Sequence, residues 1–521
     1  MTSATAGGAV AAPADGVALN RGLITVSIML ATIMQVLDTT IANVALPNMQ
    51  GSLGASQDTI NWVLTSYIVA AAIMTPVTGW LADRIGRKRL FLISVAGFTV
   101  TSMLCGLSTS IYEMVLFRLF QGIFGAALVP LSQTVLLDIN PKENHGSAMA
   151  LWGAGIMVGP ILGPTLGGYL TDALNWRWVF YINVPVGILA FLGIATFMPS
   201  VATRLRRFDF FGFALLSLGV GALQMMLDRG EQLDWFGSTE IIIETALAVT
   251  GFWMFIVHTM TAKEPFIHPG MFKDRNLVTG LIFIFVVGII LLATMALLPP
   301  MLSQLFGYPS TTTGLVLAPR GAGTMVSMIL VGRLVKKIDA RLLIMTGLGL
   351  TAWSLYDMTQ FSPQMDYWPL IRSGVIQGLG LGLVFVPLST ITFATLDVKF
   401  RTDGTALFSL MRNIGSSIGI SVVTALLTQN IQINHAVIGG RLTETNPNLT
   451  NFLQGFGGSV TSQKTMAMLD MMVSQQAAMI AYLDDFKLMM FVSLAALPLL
   501  LLLKAPQKAA AAGVPAADAP H

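Results

Sequence analysis

Residues 22–46 read GLITVSIMLATIMQVLDTTIANVAL, 25 positions with a single ionisable side chain, Asp38, well inside both ends. About 20 apolar residues carry an α-helix across the hydrocarbon core of a bilayer, so this segment is predicted to span a membrane with some tilt. A carboxylate at that depth costs about 2.5–3.5 kcal/mol on insertion scales, and such groups face a bundle interior, a partner or a water-filled cavity. Helical spacing puts Gln35, Asp38, Ala42 and Ala45 on one polar or small face, while Met34, Leu37 and Ile41 point elsewhere. Asp38 then either ties neighbouring helices together by hydrogen bonds or takes part in transport. Transport is the expectation carried forward, because ionisable groups inside a membrane are functional by default.

The composition of the 521-residue chain agrees with that segment. It is 54% hydrophobic and 11% charged, with a mean hydropathy of +0.73, where soluble domains carry roughly 25% charged residues. The fold class expected is an all-α membrane protein. A lone cysteine, Cys105, excludes an intrachain disulfide. The first 20 residues are rich in Ala, Gly and Pro without a basic n-region, so residues 1–21 are read as a disordered cytoplasmic tail and the first helix as an uncleaved anchor. The five histidines show no metal-ligand spacing, and no Gly-x-x-x-x-Gly-Lys-Ser/Thr loop is present. No metal and no cofactor is expected, and ATP is not expected to be the direct energy source. No nucleophile and base pair or strongly basic stretch points to an enzyme or to nucleic acid.

Apolar runs separated by polar or Pro/Gly punctuation give fourteen candidate spans, beginning near residues 22, 60, 90, 113, 147, 178, 209, 240, 277, 311, 342, 368, 404 and 487. With the N-terminus inside, 20 of the 29 basic residues fall on the inner side and 5 on the outer, while Arg118, Arg320, Arg372 and Arg412 lie within helices. That bias predicts both termini in the cytoplasm. Residues 429–486 are expected to form a long outer loop. Within it Met466, Leu469, Met472, Val473, Met479, Ile480 and Leu483 recur at helical spacing, an amphipathic pattern suited either to the membrane interface or to a docking partner.

An internal repeat relates the two ends of the chain. GWLADRIGRKR at 79–89 returns as GRLVKKIDAR at 332–341, and Arg118, Gln121-Gly122 and Pro130-Leu131-Ser132 return as Arg372, Gln377-Gly378 and Pro387-Leu388-Ser389. An offset near 254 residues therefore predicts two six-helix halves, 22–200 and 261–503, with two additional helices between them at 201–260 and a second cytoplasmic tail at 504–521.

These motifs carry a resemblance. Gly79, Asp83, Arg84, Gly86, Arg87 and Lys88 match the signature loop of the major facilitator superfamily, in which the resemblance makes the loop a conformational latch with Asp83 against a helix N-terminus. Gly155, Gly159, Pro160, Gly163, Pro164, Gly167 and Gly168 resemble the antiporter motif of drug exporters: glycines at four-residue intervals leave a stripe for close helix packing, and the prolines add a bend. LDTTIANVALP at 37–47, WRWVFYINVP at 176–185 and MRNIGSSIGIS at 411–421 are similar to the fourteen-spanner drug:proton antiporters, and LQMMLDRGEQLDWF at 223–236 points to their EmrB-like branch. The second copy of the loop has Lys336 where the first has Asp83.

The resemblance implies a major facilitator fold with Asp38 and Arg118 as the proton-coupling pair, Arg118 lying in the family's Arg-x-x-Gln-Gly motif. An intramembrane guanidinium needs a carboxylate, carbonyls or water. Gln35, Gln121, Arg412 and Asn413 are candidates for the substrate cavity. The implied function is proton-coupled export of hydrophobic drugs or toxic compounds by alternating access, as a multidrug efflux antiporter in a bacterial inner membrane. Its partners would be hydrophobic small molecules, protons, membrane lipids, a periplasmic adaptor protein and an outer-membrane channel. Two rivals stand beside it: export of one metabolite, such as a siderophore or fatty acid, and a non-transporting membrane sensor on the same fold.

Overall fold

The computed structural model describes residues 20–200, 203, 207–442, 449, 451–452 and 462–503. The tails read at 1–19 and 504–521 lie outside them, as does most of the segment 443–461 within the expected outer loop. Twelve helices among the described residues are long and apolar enough to cross a membrane, and the pair either side of Thr75 and Pro76, bent by 60°, makes a thirteenth. The fourteenth position is taken by Ala340–Met358, 19 residues that include Arg341 and Asp357. Thirteen of the expected spans begin within three residues of a helix start.

The helix ends have local causes. Asn20, Ser56, Ser110, Asp274 and Asp339 each accept a backbone N–H of the first turn that follows. Glu113 answers Ser110 by accepting from Thr109 N at 2.8 Å, so both ends of that turn are satisfied. Gly54 and Gly86, at φ of 61° and 89°, end the first span and separate Val77–Ile85 from Arg87–Leu107 in conformations that side chains resist.

Three further breaks follow one rule. Helices stop at Gly125, Ile156 and Tyr181, and Pro130, Pro160 and Pro185 follow at or next to the fourth position beyond. A proline cannot donate to the carbonyl four residues back and its ring crowds that carbonyl, so the ladder opens there. The fourth, fifth and sixth spans are consequently each two helices: Ile111–Gly125 with Leu128–Ile139, His145–Ile156 with Val158–Ala173, and Trp178–Tyr181 with Asn183–Phe197.

The chain forms two compact units. The first comprises, within the described residues, 20–140, 158–225 and 243–266; the second comprises 141–157, 226–242 and 267–503. In the first unit the opening helix Arg21–Leu53 packs on Val158–Ala173 and Asn183–Phe197, and the fourth span packs on the second and third. Leu37, Ile41, Met49, Val63, Met114 and Phe180 are part of the apolar core that results.

In the second unit Ser310–Leu334 packs on Tyr367–Ala394, and Arg275–Gln304 on Arg401–Gly439. His145–Ile156 belongs here: Ser147 Oγ donates to Gly332 O at 3.1 Å, and the Trp152 and Phe385 rings stack at 6.0 Å. Lys336, the residue that replaces the motif aspartate in the second loop copy, donates from Nζ to Asn144 Oδ1 at 2.8 Å.

The segment expected to form the outer loop is helical over much of its described length. The thirteenth span continues to Gly439, 39 residues in all, and the amphipathic pattern at 466–483 is one unbroken helix with the fourteenth span, Gln463–Ala495. At 1.5 Å per residue these helices run about 58 and 50 Å, well past the roughly 30 Å that the hydrocarbon core needs. His435 Nε2 and Asp470 Oδ1, 3.0 Å apart, join the extended parts. The inward stripe is Leu469, Val473, Ala477, Ala481, Asp485 and Met489, while Met466, Met472 and Ile480 are exposed.

Candidate functional site

The first span carries Asp38 into the interior of the first unit, where its side chain is 1% exposed. Three donors meet it. Arg118 Nη1 reaches Oδ2 at 2.7 Å, Gln121 Nε2 reaches Oδ1 at 3.0 Å and Asn183 Nδ2 reaches Oδ1 at 2.7 Å. An ionised carboxylate only accepts, and three converging donors, one of them charged, match that form. Arg118 and Gln121 are one helical turn apart on the fourth span, so both point at the same carboxylate, and Arg118 Nη1 also donates to Gln121 Oε1 at 2.7 Å.

Arg118 is held from other directions as well. Its Nε donates to Val63 O at 3.1 Å, and its guanidinium lies over the Tyr67 ring with Cζ 4.4 Å from the centroid. Those contacts supply a carbonyl, an amide oxygen and a π face that do not depend on the charge of Asp38. If Asp38 took up a proton, the guanidinium would still have a seat. Breaking a buried pair is otherwise costly, because one bare charge is left behind.

A second layer fixes the first. Asn183 Nδ2 also donates to Ser102 Oγ at 2.9 Å, and Ser102 in turn donates to Phe180 O. Cys105 Sγ donates to Gln121 Oε1 at 3.7 Å, so the lone cysteine closes the shell around the pair. Gln35, one turn before Asp38, donates from Nε2 to Tyr67 Oη at 3.2 Å, while its Oε1 is buried without a protein partner. Asn183 is the member that charge and spacing did not single out. It stands in the WRWVFYINVP segment, directly after the break at Ile182 that turns its side chain inward.

The expected site residues divide as follows. Asp38, Arg118 and Gln121 come together, with Gln35 adjacent, but Gln121 is fully buried against Asp38 and so lines the charge pair instead of the expected cavity. Arg412 and Asn413 lie in the second unit, half-buried on the thirteenth span, where Ser416 Oγ donates to the Arg412 carbonyl at 2.8 Å. Arg320 donates from Nη2 to Leu291 O at 3.2 Å, and Arg372 pairs with Asp357. In the repeat, the position 256 residues beyond Gln121 is Gln377, whose Nε2 lies 3.4 Å from Thr294 Oγ1, and Thr294 stands 256 beyond Asp38. A neutral pair thus occupies the second copy of the site.

The glycine stripe presses directly on the Asp38 helix. A Cβ at Gly159 would stand 2.7 Å from Val36 Cγ1, one at Gly163 would stand 2.2 Å from Thr40 Oγ1, and one at Gly167 would stand 3.3 Å from Ile41 Cγ2. Thr40 Oγ1 uses the approach to donate to Gly159 O at 3.2 Å. Gly168 faces open space, and Gly155 lies on the other side of the break at Met157, which Pro160 explains; Pro164 stays inside its helix. In the loop 79–89, Gly79 is buried in Val77–Ile85, Asp83 and Lys88 are half-buried, Arg84 is exposed, and Arg87 pairs with Asp138 of the fourth span.

The comparisons with known proteins agree with these motifs. A family model described as Major Facilitator Superfamily matches residues 28–420. The chain is similar to the multidrug export protein EmrB of Escherichia coli (strain K12), with 38% identity over 473 residues, 89% of this chain and 91% of that one. It is similar to the fatty acid resistance protein FarB of Neisseria gonorrhoeae, with 35% identity over 497 residues, 95% of this chain and 98% of that one. The crystal structure of the human organic anion transporter MFSD10 (TETRAN) shares the fold at a TM-score of 0.59 and 13% identity, covering 91% of this chain and 99% of that one.

Proposed function

This chain belongs to the Major Facilitator Superfamily, and from that premise we propose that it is a proton-coupled exporter of hydrophobic compounds in a bacterial inner membrane, with Asp38 as its proton carrier. The observation that carries the reading is the buried pair of Asp38 and Arg118, completed by Gln121 and Asn183. With donors from three side chains directed at its two oxygens, the carboxylate has to part from one of them to take a proton, so protonation and a change of conformation are tied together. Arg118 withdraws onto Val63 O and Gln121 Oε1 when the carboxylate is neutral, and returns when the proton leaves. The glycine stripe at 159–167 transmits bending of the fifth span straight to the Asp38 helix. Alternating access by rocking of two halves supplies the change of side, and the loop at 79–89 serves as its latch.

Similarity to EmrB supports a broad range of apolar substrates. The fatty acid resistance protein FarB, which matches nearly the whole chain, supports a narrower second reading, export of fatty acids. The long helical pair at 401–439 and 463–495 supports a docking role toward a periplasmic adaptor and, through it, an outer-membrane channel. The distribution of basic residues supports both termini lying inside. No cofactor is required beyond the proton gradient.

Reconstituted vesicles test the central point. Asp38→Asn keeps size and most hydrogen bonds but cannot cycle a proton, so with ethidium as probe it should purify as a folded protein and lose efflux driven by an imposed pH gradient. Wild-type rates from that variant would mean that Asp38 is a structural hydrogen bonder. Competition of ethidium efflux by long-chain fatty acids separates the two substrate readings.

A further inference from the structure

The second unit holds one buried carboxylate among its described residues, Asp485. It lies on the fourteenth span, 1% exposed, and its Oδ2 is buried without a hydrogen-bond partner. Tyr482, Phe486 and Met489 flank it along the buried face, which joins an apolar cluster with Leu355, Met358 and Phe361 of the eleventh span and the turn after it. Phe486 meets the Phe361 ring edge-on at 6.2 Å, which sets Asp485 level with the Met358 end of that helix.

The charges on the packed elements are engaged or elsewhere. Asp357 on the eleventh span pairs with Arg372, and His435 on the thirteenth bonds Asp470. Arg341 bonds the carbonyl of Leu503 at the opposite end of the eleventh span, and Arg275 stands at the first residue of the ninth. Arg412, on the thirteenth span, makes no ion pair with Asp485, and Asp484 and Lys487 on its own helix are exposed. An ionised carboxylate here would have no donor and no counter-charge, an expensive arrangement that a neutral acid avoids. Asp38 is the opposite case, with three donors around it.

We propose that Asp485 is a second proton-binding site of the transport cycle, carrying its proton in this conformation and loaded from the outer face. The proposal rests on the reading of the chain as a proton-coupled exporter, whose topology puts the Met358 end of the eleventh span outside. One aqueous proton adds to the carboxylate to give the neutral acid, and the same O–H bond breaks when the site opens to the other side. The duplicated halves then each contribute a carboxylate, although the repeat position of Asp38 is Thr294.

Infrared difference spectroscopy on the full-length protein in lipid tests the charge state without any substrate. At neutral pH the carbonyl stretch of a protonated, water-excluded carboxyl should be present in the wild type and in Asp38→Asn, absent in Asp485→Asn and shifted in Asp485→Glu. An unchanged band in Asp485→Asn would overturn the proposal. In proteoliposomes with ethidium as probe, Asp485→Asn should retain the wild-type unfolding midpoint, and its proton influx per ethidium moved should fall by half. A wild-type ratio would show that Asp485 stays protonated throughout the cycle and does not exchange, again overturning it. If the wild type shows no gradient-driven efflux at all, the exporter reading fails, while the infrared result still reports on Asp485.

Discussion

At the scale of single residues, Asp38 and Arg118 form a unit whose members cannot be removed singly without consequence. Arg118→Ala leaves a carboxylate in an apolar interior, a change that typically costs about 3–5 kcal/mol. Adding Asp38→Asn removes the stranded charge, so the double variant should unfold at a higher temperature than Arg118→Ala alone, with neither coupling protons. Thermal unfolding in detergent checks the order; a double variant less stable than the single one would mean that the pair is held by something other than charge. Three members of the site were legible because an ionisable or amide side chain in an apolar run stands out. Asn183 was not, because it is uncharged, sits among aromatic residues, and is turned inward only by the break that Pro185 imposes. Asp485 was hidden for a different reason: Asp484 and Lys487 beside it gave the stretch a loop-like polarity, and only the folded helix shows which of the three faces inward.

At the scale of helices, the stripe of glycines has unequal members. A methyl group at Gly163 would collide with Thr40, whereas one at Gly168 would meet nothing within 4 Å. Gly163→Ala should therefore destabilise by about 1–3 kcal/mol, the usual effect of overfilling a packed contact, and lower efflux as well. Gly168→Ala should be neutral or stabilise by up to about 1 kcal/mol through helix propensity. Equal unfolding midpoints for the two would remove the stripe from the packing account. Helix starts were legible to within a few residues wherever an apolar run met a capping side chain. The fourteenth span begins 24 residues before its expected start because residues 463–486 are apolar on only one face, which reads as amphipathic in sequence and as a continued helix in the fold. The continuity alters how adaptor docking is tested. Deleting 464–483 would remove Leu469, Val473 and Tyr482 from the interior, so the informative change is Met466→Ser with Met471→Ser on the exposed face. That variant should stay folded and lose copurification with a periplasmic adaptor; retained copurification would assign the face to lipid.

For the whole molecule, the proposed orientation, with both termini inside, is one that labelling can check. In a Cys105→Ala background, a cysteine at Gln232 should react with an impermeant reagent in intact cells and one at Lys88 should not; Gln232 is preferable to Asp234, whose φ of 56° already strains the backbone. Labelling at 88 would reverse the topology. The repeat, legible from two motifs, led to the expectation of two six-helix halves, but nothing in the apolar pattern foretold that the two parts of the fifth span would join different compact units. The breaks in the ladder fall unevenly between those units. The second, fourth and sixth spans, all of the first unit, are interrupted, while the ninth, tenth, twelfth, thirteenth and fourteenth run through 30, 25, 28, 39 and 33 residues without a gap. Each interruption frees carbonyls that lipid cannot satisfy, which makes it a foothold for water and a place where a span yields at low cost. The first unit is thus the pliant part at its three breaks, whereas Pro299, Pro300, Pro319 and Pro387 sit inside helices of the second without ending them. In deuterated buffer, amides beside residues 126, 157 and 182 should take up label long before their counterparts in the uninterrupted spans, and a solvent that stiffens the bilayer should slow turnover by acting on the pliant part alone.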